Sequence, residues 1–217
     1  MSALNSELAI WFKHRLADPL RLEQAITHLS DQWGSEIDNH RVAIRSAVGK
    51  ALLQEGSTRA AVNERDLESL ANLREIPRLK SHALSISHCP DLGGFILVPN
   101  LLNSVGFDIE ISSRIKIPIA ARVLPHAKEA ILRDRLADAS AAPLATSIWA
   151  AKESAIKCFG NAFAEHTVNY TNVELVSLDT DQNSGFTFTA RFENGLAHGL
   201  VANNGQHVFA LAVRNSS

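Results

Sequence analysis

The sequence predicts an α+β protein made of two α+β halves, and three observations carry that reading. Hydrophobic residues recur at helical spacing through the first third of the chain. The middle switches to short segments rich in β-branched and aromatic residues, bounded by Pro, Gly and Asn. Helical spacing then returns, and strand-like segments follow to the end. A helix repeats its apolar face about every 3.6 residues, a half-buried strand every two. The order is thus helices, strands, helices, strands, with a seam near residues 104–112. The halves, 1–104 and 105–217, are similar in length, which permits an internal duplication.

Taken in order, "DNHRVAIRSAVGKALLQEG" starts after Asp38 or Asn39 as caps and stops at Gly56. Its Ile44, Val48, Ala51 and Leu52 share one face. A second helix covers "NERDLESLANL". "HALSISHC", "GGFILVP" and "SVGFDIEI" read as three strands. Helix returns over Ile119 to Leu136 and again over Pro143 to Phe159. "NVELVSL", "SGFTFTARF" and "HVFALAV" are strand-like, with "ENG" and "NNG" as turns.

Composition narrows the function classes. Apolar residues make up 46% of the 217 and charged residues 20%, ordinary values for a globular protein with a sizeable core. A formal net charge of -2 gives no global field to recruit nucleic acid or an anionic membrane, so neither is an expected partner. The two cysteines, Cys89 and Cys158, form no CxxC pair and no disulfide framework. "MSALNSELAIWFKHRL" lacks the basic start and apolar stretch of a signal peptide, and no apolar run approaches the roughly 18 residues of a membrane span. A cytoplasmic location is expected.

The first chemistry-bearing segment is "SVGFDIEI". Val105, Phe107, Ile109 and Ile111 alternate with Gly106, Asp108 and Glu110. Two carboxylates therefore share one strand face, roughly 7 Å apart along the chain. They repel unless something cationic lies between them, and a hard divalent ion such as Mg²⁺ is the usual solution. The ordinary alternative is a solvent-facing strand side. The second segment is "IWAAKESAIKCFG", whose positions 149, 153, 156, 157 and 160 fall along one helical stripe. Here the ordinary alternative is a surface Glu153–Lys157 salt bridge worth about 0.3–0.5 kcal/mol. In the functional reading Glu153 supplies a third carboxylate to the ion, and Lys157 holds a phosphate oxygen or steadies a leaving group. Trp149 packs the helix so that both point inward.

A GxDxE strand followed some forty residues later by a WxxKExxxK helix resembles the 4'-phosphopantetheinyl transferases of the surfactin-synthetase-activating type. "SISHC" is similar to that family's serine-histidine block, "VGFDIE" to its metal strand and "WAAKESAIK" to its helix signature. "RSAVGKALL", with Arg45, is a fourth and weaker likeness. The resemblance implies two similar, pseudo-twofold α+β halves packed around a central cleft. It implies transfer of the phosphopantetheine arm from coenzyme A, the co-substrate, to a serine of an acyl or peptidyl carrier protein, with Mg²⁺ as cofactor and 3',5'-ADP as product. By resemblance Asp108, Glu110 and Glu153 are the metal carboxylates, Lys157 meets the diphosphate and His88 contacts coenzyme A. Arg45 and Lys80 are candidates for the 3'-phosphate, with Arg41, Arg74 and Arg78 behind them. Glu153 or a metal-bound water is the candidate base. The chain departs from the family in two places: "LREIPRLKSHAL" lacks a GKP-like segment, and "VLPHAKEAIL" replaces the FSxxE form, with Glu129 standing for its glutamate.

Between Glu110 and Glu129 the chain carries Arg114, Lys116, Arg122 and Lys128 and no acidic residue. This run is the expected docking site for an acidic carrier protein. A monomer is expected, since two halves in one chain can form a cleft alone. Two other functions use parts of the same pattern. A Mg²⁺-dependent phosphohydrolase or nuclease would use the three carboxylates but leaves the serine-histidine block unexplained. A non-catalytic carrier-binding module would not need a complete set of metal carboxylates.

Overall fold

The computed structural model describes residues 29–30, 45, 48, 64–72, 79, 82–90, 92–99, 104–137, 142–162, 167–181 and 185–214. They form a mixture of helices and antiparallel sheets, the α+β class that the sequence predicts. The chain divides into two compact units, Met1–Leu102 and Asn103–Ser217.

In the first unit, helix α1 (Glu64–Ala71) accompanies a three-stranded sheet of β1 (Leu29–Ser30), β2 (His82–His88) and β3 (Gly93–Pro99). The sheet order is β1-β3-β2, and both pairings are antiparallel. β2 and β3 are the segments read as strands from their β-branched content. They are joined by a tight turn in which Cys89 N–H donates to Leu92 O at 2.7 Å. Leu84, Phe95 and Ile96 are buried. Of the helix expected over 39–56, Arg45 and Val48 are helical, and the remainder lies outside the described residues.

In the second unit β4 (Ser104–Ile111), β5 (Glu174–Asp181), β6 (Gly185–Phe192), β7 (Gly195–Asn203) and β8 (His207–Arg214) form an antiparallel sheet. Its order is β4-β8-β7-β6-β5. The first strand of the unit thus pairs with the last, Asp108 opposite Ala210 and Glu110 opposite Val208. β7 was not read as a strand from sequence. A glycine at its start, one inside it and a histidine blur its alternation, and its neighbours β6 and β8 hold it in register.

The single helix expected over 119–136 is corrected to three pieces: α2 (Ile117–Arg122), a 3-10 turn (Ala127–Glu129) and α3 (Ala130–Leu136). Pro125 explains the break. Its ring has no N–H to donate, and it pushes Leu124 out of the helical region. Pro118, by contrast, sits in the first turn of α2, where a missing donor costs nothing.

Helix α4 (Ala142–Ala162) lies on the face of the sheet that carries Gly106 and Asp108. It packs through small residues: Ala151, Ser154, Ala155 and Cys158 are fully buried. The approach is closest at Gly106, where an added Cβ would stand 1.8 Å from Ser154 O and 2.5 Å from Cys158 N. Ser104 Oγ donates to Cys158 O, and Cys158 Sγ lies 3.6 Å from Ser104 O. Burial pushes the Cys158 thiol up to about 12, so it remains a protonated packing group. No helix among the described residues is long and apolar enough to cross a membrane.

Two Gly→Ala substitutions should therefore act oppositely. Gly106→Ala drives a methyl into helix backbone that cannot rotate away, and should cost upwards of about 1–3 kcal/mol. At Gly160, near the end of α4, an added Cβ meets nothing within 4 Å. Gly160→Ala should stabilise by roughly 0.5–1 kcal/mol through helix propensity. Urea unfolding of both variants checks the contrast, and equal effects would contradict the close contact.

Candidate active site

The acidic face of β4 is not a solvent-facing strand side. Asp108 and Glu110 are 4% and 8% exposed, nearly as hidden as Phe107 and Ile109 on the opposite face. Two carboxylates lose most of their water and must find charge elsewhere. Lys157 of α4 supplies it for Asp108: Nζ meets Oδ1 at 2.7 Å and also donates to Phe107 O at 3.0 Å. Lys157 thus reaches across to the strand, beyond the helix-surface pairing with Glu153 that spacing alone suggests. Arg114, three residues beyond β4, folds back so that Nη1 meets Glu110 Oε2 at 3.0 Å. Glu110 is nevertheless shifted upward, by burial first and then by Asp108, with Arg114 and Lys157 opposing.

Glu153 is the third carboxylate. Burial and the negative charges of Asp108 and Glu110 raise its carboxyl to about 7, while Lys157 pulls the other way. The strand pair and the helix glutamate are thus within electrostatic reach of one another. Glu153 Oε1 accepts a hydrogen bond from Tyr170 Oη, whose ring centroid lies 5.1 Å from that of Trp149. Trp149, Glu153 and Lys157 share one stripe of α4 because its other faces bury Ile148, Ala151, Ala155 and Phe159.

The donor chemistry of these side chains suits a cation. The donors are carboxylate oxygens, which suit a hard ion. Glu110 and Glu153 are both shifted upward, by burial first and by neighbouring carboxylates second, with Lys157 opposing in both and Arg114 at Glu110. Among the described residues, which include all three carboxylates, no group of three or more His, Cys, Asp and Glu side chains is placed to hold a metal ion. Three protein carboxylates therefore do not preform a cation site here; an open site takes one or two carboxylates and fills its other positions with water and substrate phosphates.

A second charged pair lies inside the same unit. Lys152 and Glu129 are both 0% exposed, and Nζ meets Oε1 at 2.6 Å. Glu129 also accepts from Leu175 N at 2.8 Å and from His126 N at 3.0 Å, and Lys152 Nζ donates to Val173 O. Burial pulls Lys152 down from its ordinary value, against the pull of Glu129. With every oxygen engaged, the pair ties α4 to the 3-10 turn and to the start of β5.

The remaining sequence candidates belong to the first unit or lie outside the described residues. Arg45 Nη1 donates to Leu70 O at 3.3 Å and to Asn72 O, bonding carbonyls at the end of α1. His88 ends β2 half-buried, opposite Gly93, and Ser85 and Ser87 of the same strand are buried. Both belong to the first unit. Lys80, Arg41, Arg74 and Arg78 lie outside the described residues.

Sequence reasoning missed three residues. Lys152 had a signal: it is the one charged residue on the apolar stripe of Ile148, Ala151, Ala155 and Phe159. Arg114 was read as a carrier contact, and the structure turns it onto Glu110. Tyr170 had no signal, because its contacts lie some twenty residues back on another element.

An antiparallel sheet covered by one long helix brings three carboxylates and a lysine to their junction. The 4'-phosphopantetheinyl transferase superfamily matches residues 104–212, half of the chain, and the protein belongs to that superfamily. The match begins at β4 and takes in the whole acidic centre. Comparison with curated proteins finds no match.

The raised Glu153 carboxyl has a measurable consequence. Its value rises from 4.5 to about 7 on folding, so the native state binds more protons than the unfolded state in between. Stability therefore falls as pH rises through that window, and the cost is fully present above about 7. Glu153→Gln removes the charge and keeps an acceptor for Tyr170. In metal-free buffer the variant should melt above wild type, by a margin that widens from about pH 5 to about pH 8. A flat or narrowing margin would contradict a buried, ionised Glu153.

Proposed function

We propose that the protein transfers the 4'-phosphopantetheine arm of coenzyme A to a serine of an acyl or peptidyl carrier protein, releasing 3',5'-ADP, in the manner of the surfactin-synthetase-activating type. The observation that carries this reading is the junction of Asp108, Glu110, Glu153 and Lys157 inside the segment that matches the superfamily. Phosphoryl transfer asks for positioning and charge neutralisation more than for covalent help. Asp108, Glu110 and Glu153 would hold Mg²⁺, which when bound supplies positive charge to the diphosphate. Lys157, anchored on Phe107 O and Asp108, offers a compact cation to a phosphate oxygen. Arg114 steadies Glu110.

The serine hydroxyl must lose a proton as it attacks. Asp108 is paired with Lys157 and Glu110 with Arg114, whereas Glu153 is held by a neutral hydroxyl and titrates near 7. That value belongs to the cation-free site, and a cation on Glu153 would lower it, so the proposed proton acceptor is Glu153 or a bound water. His88 and Arg45 of the first unit are proposed contacts of coenzyme A, as is Lys80. With the superfamily comes the expectation of two related α+β halves, divided at residues 104 and 105; the antiparallel sheet in each unit supports it.

Lys116, Arg122 and Lys128 are exposed around α2 and the 3-10 turn, beside half-exposed Ile119. They are the proposed rim for an acidic carrier; Arg114 is better assigned to the acidic centre. Reversing the three charges should raise the KM for carrier several-fold and leave the KM for coenzyme A unchanged. An unaltered carrier KM removes this surface from the proposal.

The deciding experiment is mass spectrometry of apo carrier proteins incubated with the protein, coenzyme A and Mg²⁺. A gain of one phosphopantetheine arm on the carrier serine is expected, and Lys157→Ala should slow it by at least about tenfold, the effect of one lost charge contact in the transition state. Release of phosphate or cleavage products with no mass gain would instead identify a phosphohydrolase. Neither product would leave a carrier-binding module.

A further inference from the structure

We propose that Ile119 and Ile131 are the apolar anchors of the carrier-docking face, each set in a frame of cations, and that the occupant is an acidic amphipathic helix of the carrier protein. The inference rests on the transferase reading above and adds to its basic rim the two side chains that a partner would cover.

Spacing is the first support. Lys116, Ile119 and Arg122 follow one another at steps of three residues along α2, and Lys128, Ile131 and Arg135 at steps of three and four along the 3-10 turn and α3. Residues three and four apart share a helix face. An isoleucine with a cation one turn before it and another one turn after it thus occurs twice between residues 116 and 135.

Exposure is the second. Four large apolar side chains are exposed among the described residues, namely Ile119, Ile131, Val176 and Leu196. Ile131 is 67% exposed and Ile119 42%. The framing residues Lys116, Arg122, Lys128 and Arg135 are exposed as well. The opposite sides of the same pieces enter one core, through Ala120 and Leu124 on one piece and Leu132 and Leu136 on the other, and α2 touches α3. Both isoleucines are therefore turned outward from adjoining elements.

Charge is the third. The acids between residues 112 and 137 are Glu129 and Asp134. Glu129 is buried against Lys152, which leaves Asp134 as the one exposed acid beside four exposed framing cations. Arg114 is turned onto Glu110, and Arg133 onto Leu124 O and His126 O, so neither belongs to the frames.

A lone exposed isoleucine needs no explanation, since much of any protein surface is apolar. Two of them framed alike suit a partner that carries an apolar ridge between carboxylates. An amphipathic helix presents such a ridge, with its anchors one turn apart. The cations attract it in a way that salt weakens, whereas the isoleucines contribute area that is dried on contact whatever the salt. An acidic protein without that ridge would meet the cations and leave both isoleucines wet, so the face discriminates among acidic partners.

The test uses an apo carrier protein that gains the arm in the mass-spectrometric assay, and the same carrier with its acceptor serine changed to alanine, which can bind but not react. Ile119→Ser and Ile131→Ser should each raise the carrier KM by about fivefold or more and leave the KM for coenzyme A unchanged. Leu196→Ser, at a position 48% exposed on β7 and outside this segment, should leave both unchanged. Binding of the non-reacting carrier is then compared at ionic strengths of about 0.1 M and about 1 M, between which the screening length shortens from roughly 10 Å to roughly 3 Å. The isoleucine variants should weaken binding by a similar factor at both, while the effect of reversing Lys116, Arg122 and Lys128 should shrink. An unchanged carrier KM in either isoleucine variant overturns the inference and leaves the transferase reading standing. An equal loss in Leu196→Ser, or wild-type binding abolished at about 1 M, does the same. If light scattering shows a wild-type dimer that the isoleucine variants take apart, the face binds a second copy instead and the inference fails. If no carrier gains the arm, the transferase reading falls and the inference with it.

Discussion

Everything in the acidic centre depends on how closely α4 lies on β4. At Gly106 the two backbones touch, and any side chain there would overlap the helix. Strand residues two apart face the same way, so Asp108 and Glu110 follow Gly106 on the same face. On the helix, Ser154 and Cys158 make the contact, which places Glu153 and Lys157 beside them, at the edge of the same interface. A larger residue at 106 would lift the helix, and the bond from Lys157 Nζ to Asp108 Oδ1 would lengthen. The glycine acts on the chemistry only through packing, yet no charged group of the site would be where it is without it.

That geometry concentrates like charge. Burial and mutual repulsion push Glu110 and Glu153 upward, and Lys157 and Arg114 oppose the shift only in part. The unit therefore contains two electrostatic arrangements of opposite character. The Lys152–Glu129 pair is fully enclosed, with both carboxylate oxygens hydrogen-bonded, and it closes the fold around the start of β5. In the Asp108, Glu110 and Glu153 group two carboxylates are ion-paired, and burial holds the third, Glu153, so that it titrates near neutrality. A protein tolerates such a group where the folded state is meant to receive a cation or a polar substrate. The two arrangements meet on neighbouring residues of one helix, Lys152 facing inward and Glu153 outward to the site.

Much of this was legible in the sequence. The alternation of "SVGFDIEI" fixed which residues share the face with Gly106, because the strand period leaves no other choice. The stripe of Trp149, Glu153 and Lys157 followed from helical period in the same way. The helix break at Pro125 was equally available, since proline forbids the continuous helix read over 119–136, but the apolar spacing there outweighed it. β7 was hidden because "GLAHGLVAN" has glycines where a strand would show side chains; its neighbours, not its own residues, make it a strand.

What the sequence by itself determined is local: the α+β class, the composition of each face, and the motifs that place this chain in its superfamily. Those depend on periods of two and 3.6, which operate within a few residues. The tertiary structure alone decided the partners. Lys157 joined Asp108, Arg114 turned back onto Glu110, Lys152 found Glu129, and Tyr170 reached Glu153. Each of these bonds but the Arg114 turn spans some twenty to fifty residues, and contact over that separation is set by how the helix seats on the sheet.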